Sequence, residues 1–263
     1  MPINCYFTGR AARKLFTVYE PAAPVAPGRE RAVVLCYPPG ADYFNSHRAF
    51  VKLSAILAAG GAHVVRFDWY GTGDSAGDGS GADLRGWQQD LGTAIEECKF
   101  VSGLARVWLV GLRFGAALAL MGAKDRADVA GIVLWDPIVE GVRHVRESLE
   151  RPLEVGGNRR ALAAAANEVD RTSVAEAIMT ARQQEEFGAV AAEDLLSGKL
   201  PKVYLLVSHD HEAYRALRDR LRERDIEHEH EVVASAKAWQ EARDQWAGEI
   251  PLELLQRMND YLS

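Results

Sequence analysis

The chain has 263 residues, 48% of them hydrophobic, which is material for a sizeable core in one α/β domain carrying an insertion. Its 31 Lys and Arg against 37 Asp and Glu leave a net charge of −6, so there is no basic footprint for nucleic acid, and no stretch approaches the roughly 18 apolar residues of a membrane span. Three scattered cysteines, Cys5, Cys36 and Cys98, lack metal-ligand spacing and fit a reducing cytoplasm without structural zinc.

From the N-terminus, Ile3 to Thr8 and Lys14 to Tyr19 alternate polar and apolar residues around Gly9-Arg10, a strand pair that opens the sheet. Arg31 to Tyr37 reads as a buried strand, Ser46 to Ala59 as a helix capped by Ser46, and His63 to Asp68 as a second buried strand ending in a glycine-rich turn. The alternation continues with a helix over 82–101, a strand over 106–110, a helix over 113–124 and a strand over 129–135. Residues 139–200 then turn Ala-, Glu- and Arg-rich with helical periodicity and no strand signal, which predicts a helical cap inserted in a core formed by 1–138 and 201–263. Lys202 to Val207 resumes the sheet, followed by a helix over 213–224, a last strand over 227–233 and a closing helix over 252–262. The mixed-sign Arg/Glu clusters, such as Arg143 to Arg151, read as solvated helix faces.

The segment Val107-Trp108-Leu109-Val110-Gly111-Leu112-Arg113-Phe114-Gly115-Ala116 has the frame of a nucleophile elbow, Gly-x-Ser-x-Gly, with Arg113 in the serine's place. A guanidinium stays protonated and has no lone pair with which to attack a carbonyl, so this position predicts anion binding at a helix N-terminus instead of acyl-enzyme chemistry. Together with the order of strands, the turn Asp68-Trp69-Tyr70-Gly71-Thr72-Gly73-Asp74-Ser75 and an insertion after the sixth strand, the elbow resembles the α/β-hydrolase superfamily. Within it, Pro38 to Arg48, the arginine elbow and Trp135-Asp136-Pro137 followed by Gly141 resemble a hydrolase-type family found beside bacterial exosortase systems. The resemblance implies a mostly parallel sheet flanked by helices, and a hydrolase by name more than by shown chemistry.

A serine hydrolase also needs a histidine base and an acid that orients it. The loop after the seventh strand, Val207-Ser208-His209-Asp210-His211, offers Asp210, but Ala234 to Gln245 contains no histidine. Asp210 and Arg113 both sit at carboxyl ends of strands, and the expectation is that they meet, either as a structural ion pair or as a working couple. His209 and His211 are read as a base on one hand and as solvated or capping residues on the other. Cys36, inside an apolar strand, reads as inert. Backbone N–H groups of Gly40, Ala41 and Phe114 are candidate oxyanion or anion donors; Asp136 and Trp239 are placed with the ligand, and Trp69 and Trp135 at strand ends are further candidates to line the pocket. Asp74 and Ser75 are expected to hold the glycine turn, which lacks the Lys-Ser/Thr of a phosphate-binding loop.

The expectation is an α/β-hydrolase-fold protein that binds an anionic or acyl small molecule at Arg113, without cofactor or metal. Two alternatives stay open: an esterase, thioesterase or acyltransferase working without an elbow serine through water or an acceptor activated by His209 or Asp210, and a non-catalytic, partner-binding relative. The oligomeric state is left open.

Overall fold

In the computed structural model, residues 3–150, 179–237 and 250–263 are described. The strands are β1 (Asn4–Arg10), β2 (Arg13–Glu20), β3 (Arg31–Cys36), β4 (Ala62–Phe67), β5 (Val107–Leu112), β6 (Val129–Trp135), β7 (Lys202–Val207) and β8 (His228–Val232). They form one sheet in the order β1-β2-β4-β3-β5-β6-β7-β8. The β1–β2 hairpin is antiparallel, β2 joins β4 antiparallel, and every later pairing is parallel. The helices are α1 (Ala41–Ala59), α2 (Leu84–Ser102), α3 (Phe114–Ala123), α4 (Gly141–Glu150), α5 (Ala181–Gly188), α6 (Ala192–Leu195), α7 (Glu212–Glu223) and α8 (Leu252–Leu262).

The parallel strands are apolar on both faces because both faces are covered. In β3, Ala32, Val34 and Cys36 join α2 and α3 in one core cluster, while Val33 and Leu35 join Phe50, Leu53 and Leu57 of α1 and Leu254 and Met258 of α8 in the other. The two-residue period of a strand thus feeds two cores at once. Crossovers deliver α1 and α3 immediately after β3 and β5, so their N-termini gather at the carboxyl ends of adjacent strands, where an open α/β sheet places its ligands.

Ser46 does not cap α1. The helix starts at Ala41, just after Gly40 turns the chain at φ 69°, and Ser46 lies inside it, donating from Oγ to the Asp42 carbonyl at 2.6 Å. This bond, one turn back, satisfies a buried hydroxyl without ending the helix. Helix α2 starts later than expected because Asp83 caps it, accepting from the Gly86 N–H, and Gly103 in the left-handed region ends it. Residues 139–200 contain α4, α5 and α6 among the described residues; 151–178 lie outside the description.

Trp69 and Trp135 belong to the cores, not to a pocket. Trp69 packs edge-on against Phe67 and donates from Nε1 to the Tyr37 carbonyl, whereas Trp135 stacks on Phe50 on the other face. The glycine turn is tied as a structural element: Ser75 Oγ donates to the Asp68 carbonyl and accepts from the Phe16 N–H, and the Asp68 carboxylate accepts from Tyr43 OH and the Asp74 N–H. Gly73 is required there, since a Cβ would fall 2.1 Å from Asp68 Oδ2.

Candidate functional site

The turn between β5 and α3 is strained at Arg113. Arg113 has φ 55° and ψ −124°, in a region a non-glycine residue occupies only when its surroundings force it. Its N–H donates to the Trp135 carbonyl, and its own carbonyl accepts from the N–H groups of Ala116 and Ile138, so β5, β6 and α3 all hold the turn. The flanking glycines are needed for close approach: a Cβ on Gly115 would lie 2.4 Å from the Cys36 carbonyl oxygen, and one on Gly111 2.4 Å from the Gly115 carbonyl oxygen.

What the turn presents is a buried cation. The Arg113 side chain is 0% exposed; its Nε donates to Asp42 Oδ2 at 3.3 Å and its Nη2 donates to the Glu147 carboxylate. Asp42 stands in the first turn of α1, within the loop and helix that would supply oxyanion donors, and is buried. Glu147 comes from α4 and also accepts from Arg143 Nε at 2.7 Å, one turn earlier on the same helix. Burial pushes the Glu147 carboxyl up, but the charges of Arg113 and Arg143 outweigh it, so it titrates below the ordinary carboxylate range.

Around these charges lies a small cavity of about 10 Å3, bounded among the described residues also by Pro39, Ile138, His144 and Ser148. That space holds about one water molecule. The His144 ring stacks on Phe114 with centroids 4.0 Å apart, pinning α4 over the start of α3.

The expected pair between Arg113 and Asp210 is not formed. Asp210 is exposed and pairs with Arg215, one turn into α7. The reason is geometric: β7 lies two strands from β5, so about 10 Å separates their ends at ~4.8 Å per strand, and α4 interposes a nearer carboxylate. His209 does not reach the elbow charges through any hydrogen bond of the described residues; its Nδ1 lies 3.1 Å from Ser208 Oγ. Burial, with the charge of Lys237 adding to it, lowers its pKa and favours the neutral ring. His211 is a cap, its Nδ1 accepting from the Ala213 N–H at the start of α7.

Other candidate residues fall as follows. Phe114 opens α3 beside Arg113 and is buried, Gly40 and Ala41 lie at the start of α1 next to Asp42, and Asp136 directly follows β6, buried, accepting from the Ser208 N–H at 2.7 Å. Trp239 lies outside the described residues. Burial raises the Cys36 thiol well above its ordinary pKa, which keeps it protonated. Among the described residues, no group of three or more His, Cys, Asp or Glu could hold a metal, and no helix is long and apolar enough to cross a membrane. Asp42 and Glu147, which accept hydrogen bonds from Arg113, belong to no motif that the sequence singles out as its partners.

The family model described as serine aminopeptidase, S33, matches residues 30–223. The chain belongs to this hydrolase family. No curated protein matches. Among solved structures, a carboxylesterase of the ammonia-oxidizing Nitrososphaera gargenis is 18% identical with a TM-score of 0.58, covering 98% of this chain and 97% of its own. The proline iminopeptidase of Mycobacterium smegmatis is 13% identical with a TM-score of 0.62, over 98% and 97%. An esterase of Pyrococcus furiosus is 14% identical with a TM-score of 0.64, over 99% and 89%. These likenesses carry the α/β-hydrolase fold of the chain. In this S33 member, Arg113 stands at the strained turn between β5 and α3, between the closely packed Gly111 and Gly115.

Proposed function

We propose that this S33-family chain is a hydrolase-fold protein that binds a carboxylate-bearing, anionic or acyl small molecule at Arg113, and that it performs no serine-type acyl transfer. The observation that carries the reading is the Glu147 carboxylate on Arg113 Nη2, delivered by α4 from outside the core. A site that accepts a carboxylate from its own covering helix has the geometry to accept one from a ligand that takes Glu147's place. The ligand's carboxylate would receive the Nη2 hydrogen bond, with the N–H groups at the start of α3 beside it. Because the chamber holds about one water, α4 must swing aside for the exchange, so we take 139–200 as a cap over the site. On the segments Pro38 to Arg48, the arginine elbow and Trp135 to Gly141, we also place the chain near the hydrolase-type proteins of exosortase systems.

A hydrolytic route through His209 or Asp210 has less support, since Asp210 is committed to Arg215 and His209 to Ser208. The test is a pair of measurements on the purified protein. A fluorophosphonate probe should label no serine, and propionate should bind the wild type but not Arg113→Met by calorimetry. Stoichiometric labelling of a serine, or a burst of product from an activated ester, would overturn the reading.

A further inference from the structure

The two edges of the sheet meet solvent differently. Strand β8 reads His228-Glu229-His230-Glu231-Val232, and pairing it with a second copy of itself about a two-fold axis would set glutamate against glutamate on one face. At the opposite edge, β1 runs from Asn4 to Arg10 without a proline or an acidic residue, and it leaves Phe7 56% exposed. Among the described residues no strand pairs with its outer side.

The hairpin fixes which backbone groups of β1 face outward. Phe16, opposite Phe7, donates its N–H to Ser75 Oγ at 2.9 Å and accepts the Asp68 N–H at its carbonyl at 3.0 Å, both on the side away from β1. Phe7 therefore belongs to the non-hydrogen-bonded kind of antiparallel pair, and its own N–H and C=O point away from β2, as do those of Cys5. The alternate side chains face α2: Tyr6 OH donates to Glu97 at 2.8 Å, and Arg10 stands opposite Arg13, which reaches Asp90 on the same helix. Arg10 is exposed and Glu97 half-buried, and among the described residues neither has an ion-pair partner.

We propose that β1 is the interface of a homodimer, in which it pairs antiparallel with β1 of a second copy about a two-fold axis at Phe7. The two Phe7 residues then exchange N–H···O=C bonds, and Arg10 of each copy stands opposite Asn4 of the other, two residues along from the Tyr6 that holds Glu97. On that face each copy's Arg10 guanidinium comes within reach of the other's Glu97 carboxylate, giving two symmetric ion pairs. Opposite charges thus select this register over one centred on Cys5, in which Arg10 would overhang the end of the facing strand. Phe100, 84% exposed and bordering with Thr8 and Gly9 an open groove between β1 and α2, is covered by the hairpin of the second copy.

The experiment is sedimentation equilibrium of the full chain and of variants at the edge. The wild type should dimerise at micromolar concentration, and Phe7→Glu, which sets two carboxylates against each other at the axis, should raise the dimer dissociation constant at least about a hundredfold. Arg10→Glu and Glu97→Arg should each weaken the dimer about tenfold, and the double variant should recover most of that loss. If Glu97→Arg does not fold, Phe7→Glu and Arg10→Glu, both at exposed positions, still decide. A wild type that stays monomeric at all concentrations, a dimer that Phe7→Glu leaves intact, or a dimer that Glu229→Arg on β8 dissociates would overturn the proposal.

Discussion

The carboxyl ends of β5 and β7 each carry an arginine–carboxylate pair, and the two differ in nearly every physical respect. At β5, Arg113 is enclosed and its partners come from α1 and α4, which are 71 and 34 residues away in sequence. At β7, Asp210 is exposed and pairs with Arg215, five residues on. The contrast comes from what covers each strand end: α4 lies over β5 and closes it, while α7 leaves β7 outward and carries its pair into solvent. A shared edge of the sheet does not make two charges a couple; the covering helix decides.

The largest expected effect lies on the enclosed side. Arg113→Met removes the buried cation that Asp42 and Glu147 share, leaving Glu147 its bond from Arg143, and should lower stability by about 3–5 kcal/mol, read as a drop in the denaturation midpoint. A loss well under 1 kcal/mol would mean that the cleft is wet and the pairs weak.

Next comes Glu147→Gln, which exchanges a charge-assisted bond for a neutral one and should cost about 1.5–3 kcal/mol near neutral pH. Its pH dependence has a definite sign. Because the folded Glu147 titrates below its ordinary 4.5, its contribution is complete above that pH and is lost as pH falls through the folded value. Thermal melts of wild type and Glu147→Gln should therefore converge on acidification; a gap that widened in acid would reverse the assigned direction.

The smallest effect belongs to β7. Asp210→Asn should change stability by about 0–1 kcal/mol, and a double-mutant cycle with Arg113→Met should give additive effects. A coupling as large as that between Arg113 and Asp42 would place Asp210 at the elbow after all.

Much of the frame is legible in the sequence because it is local. Strand β6 and helix α8 follow directly from apolar periodicity, and the glycines of the elbow announce a close backbone approach that the Cβ distances bear out. The occupants of the site were harder to read. Asp42 lies two residues beyond Gly40, inside a loop singled out as an anion donor, yet no local rule links it to a residue in another crossover. Glu147 and Arg143 have the i, i+4 spacing of a solvated face, and packing such as that of His144 on Phe114 turns that face inward. Asp210 occupies the slot that the resemblance gives to the acid, and that slot's usual relay depends on a histidine for which Ala234 to Gln245 has no candidate.

The most direct measurement is the propionate dissociation constant of Glu147→Gln beside that of the wild type. If Glu147 occupies the ligand's position on Arg113, removing its charge weakens its hold on Nη2 and propionate should bind about tenfold more tightly or better. An equal or weaker affinity in a folded Glu147→Gln protein would contradict a carboxylate site at the elbow.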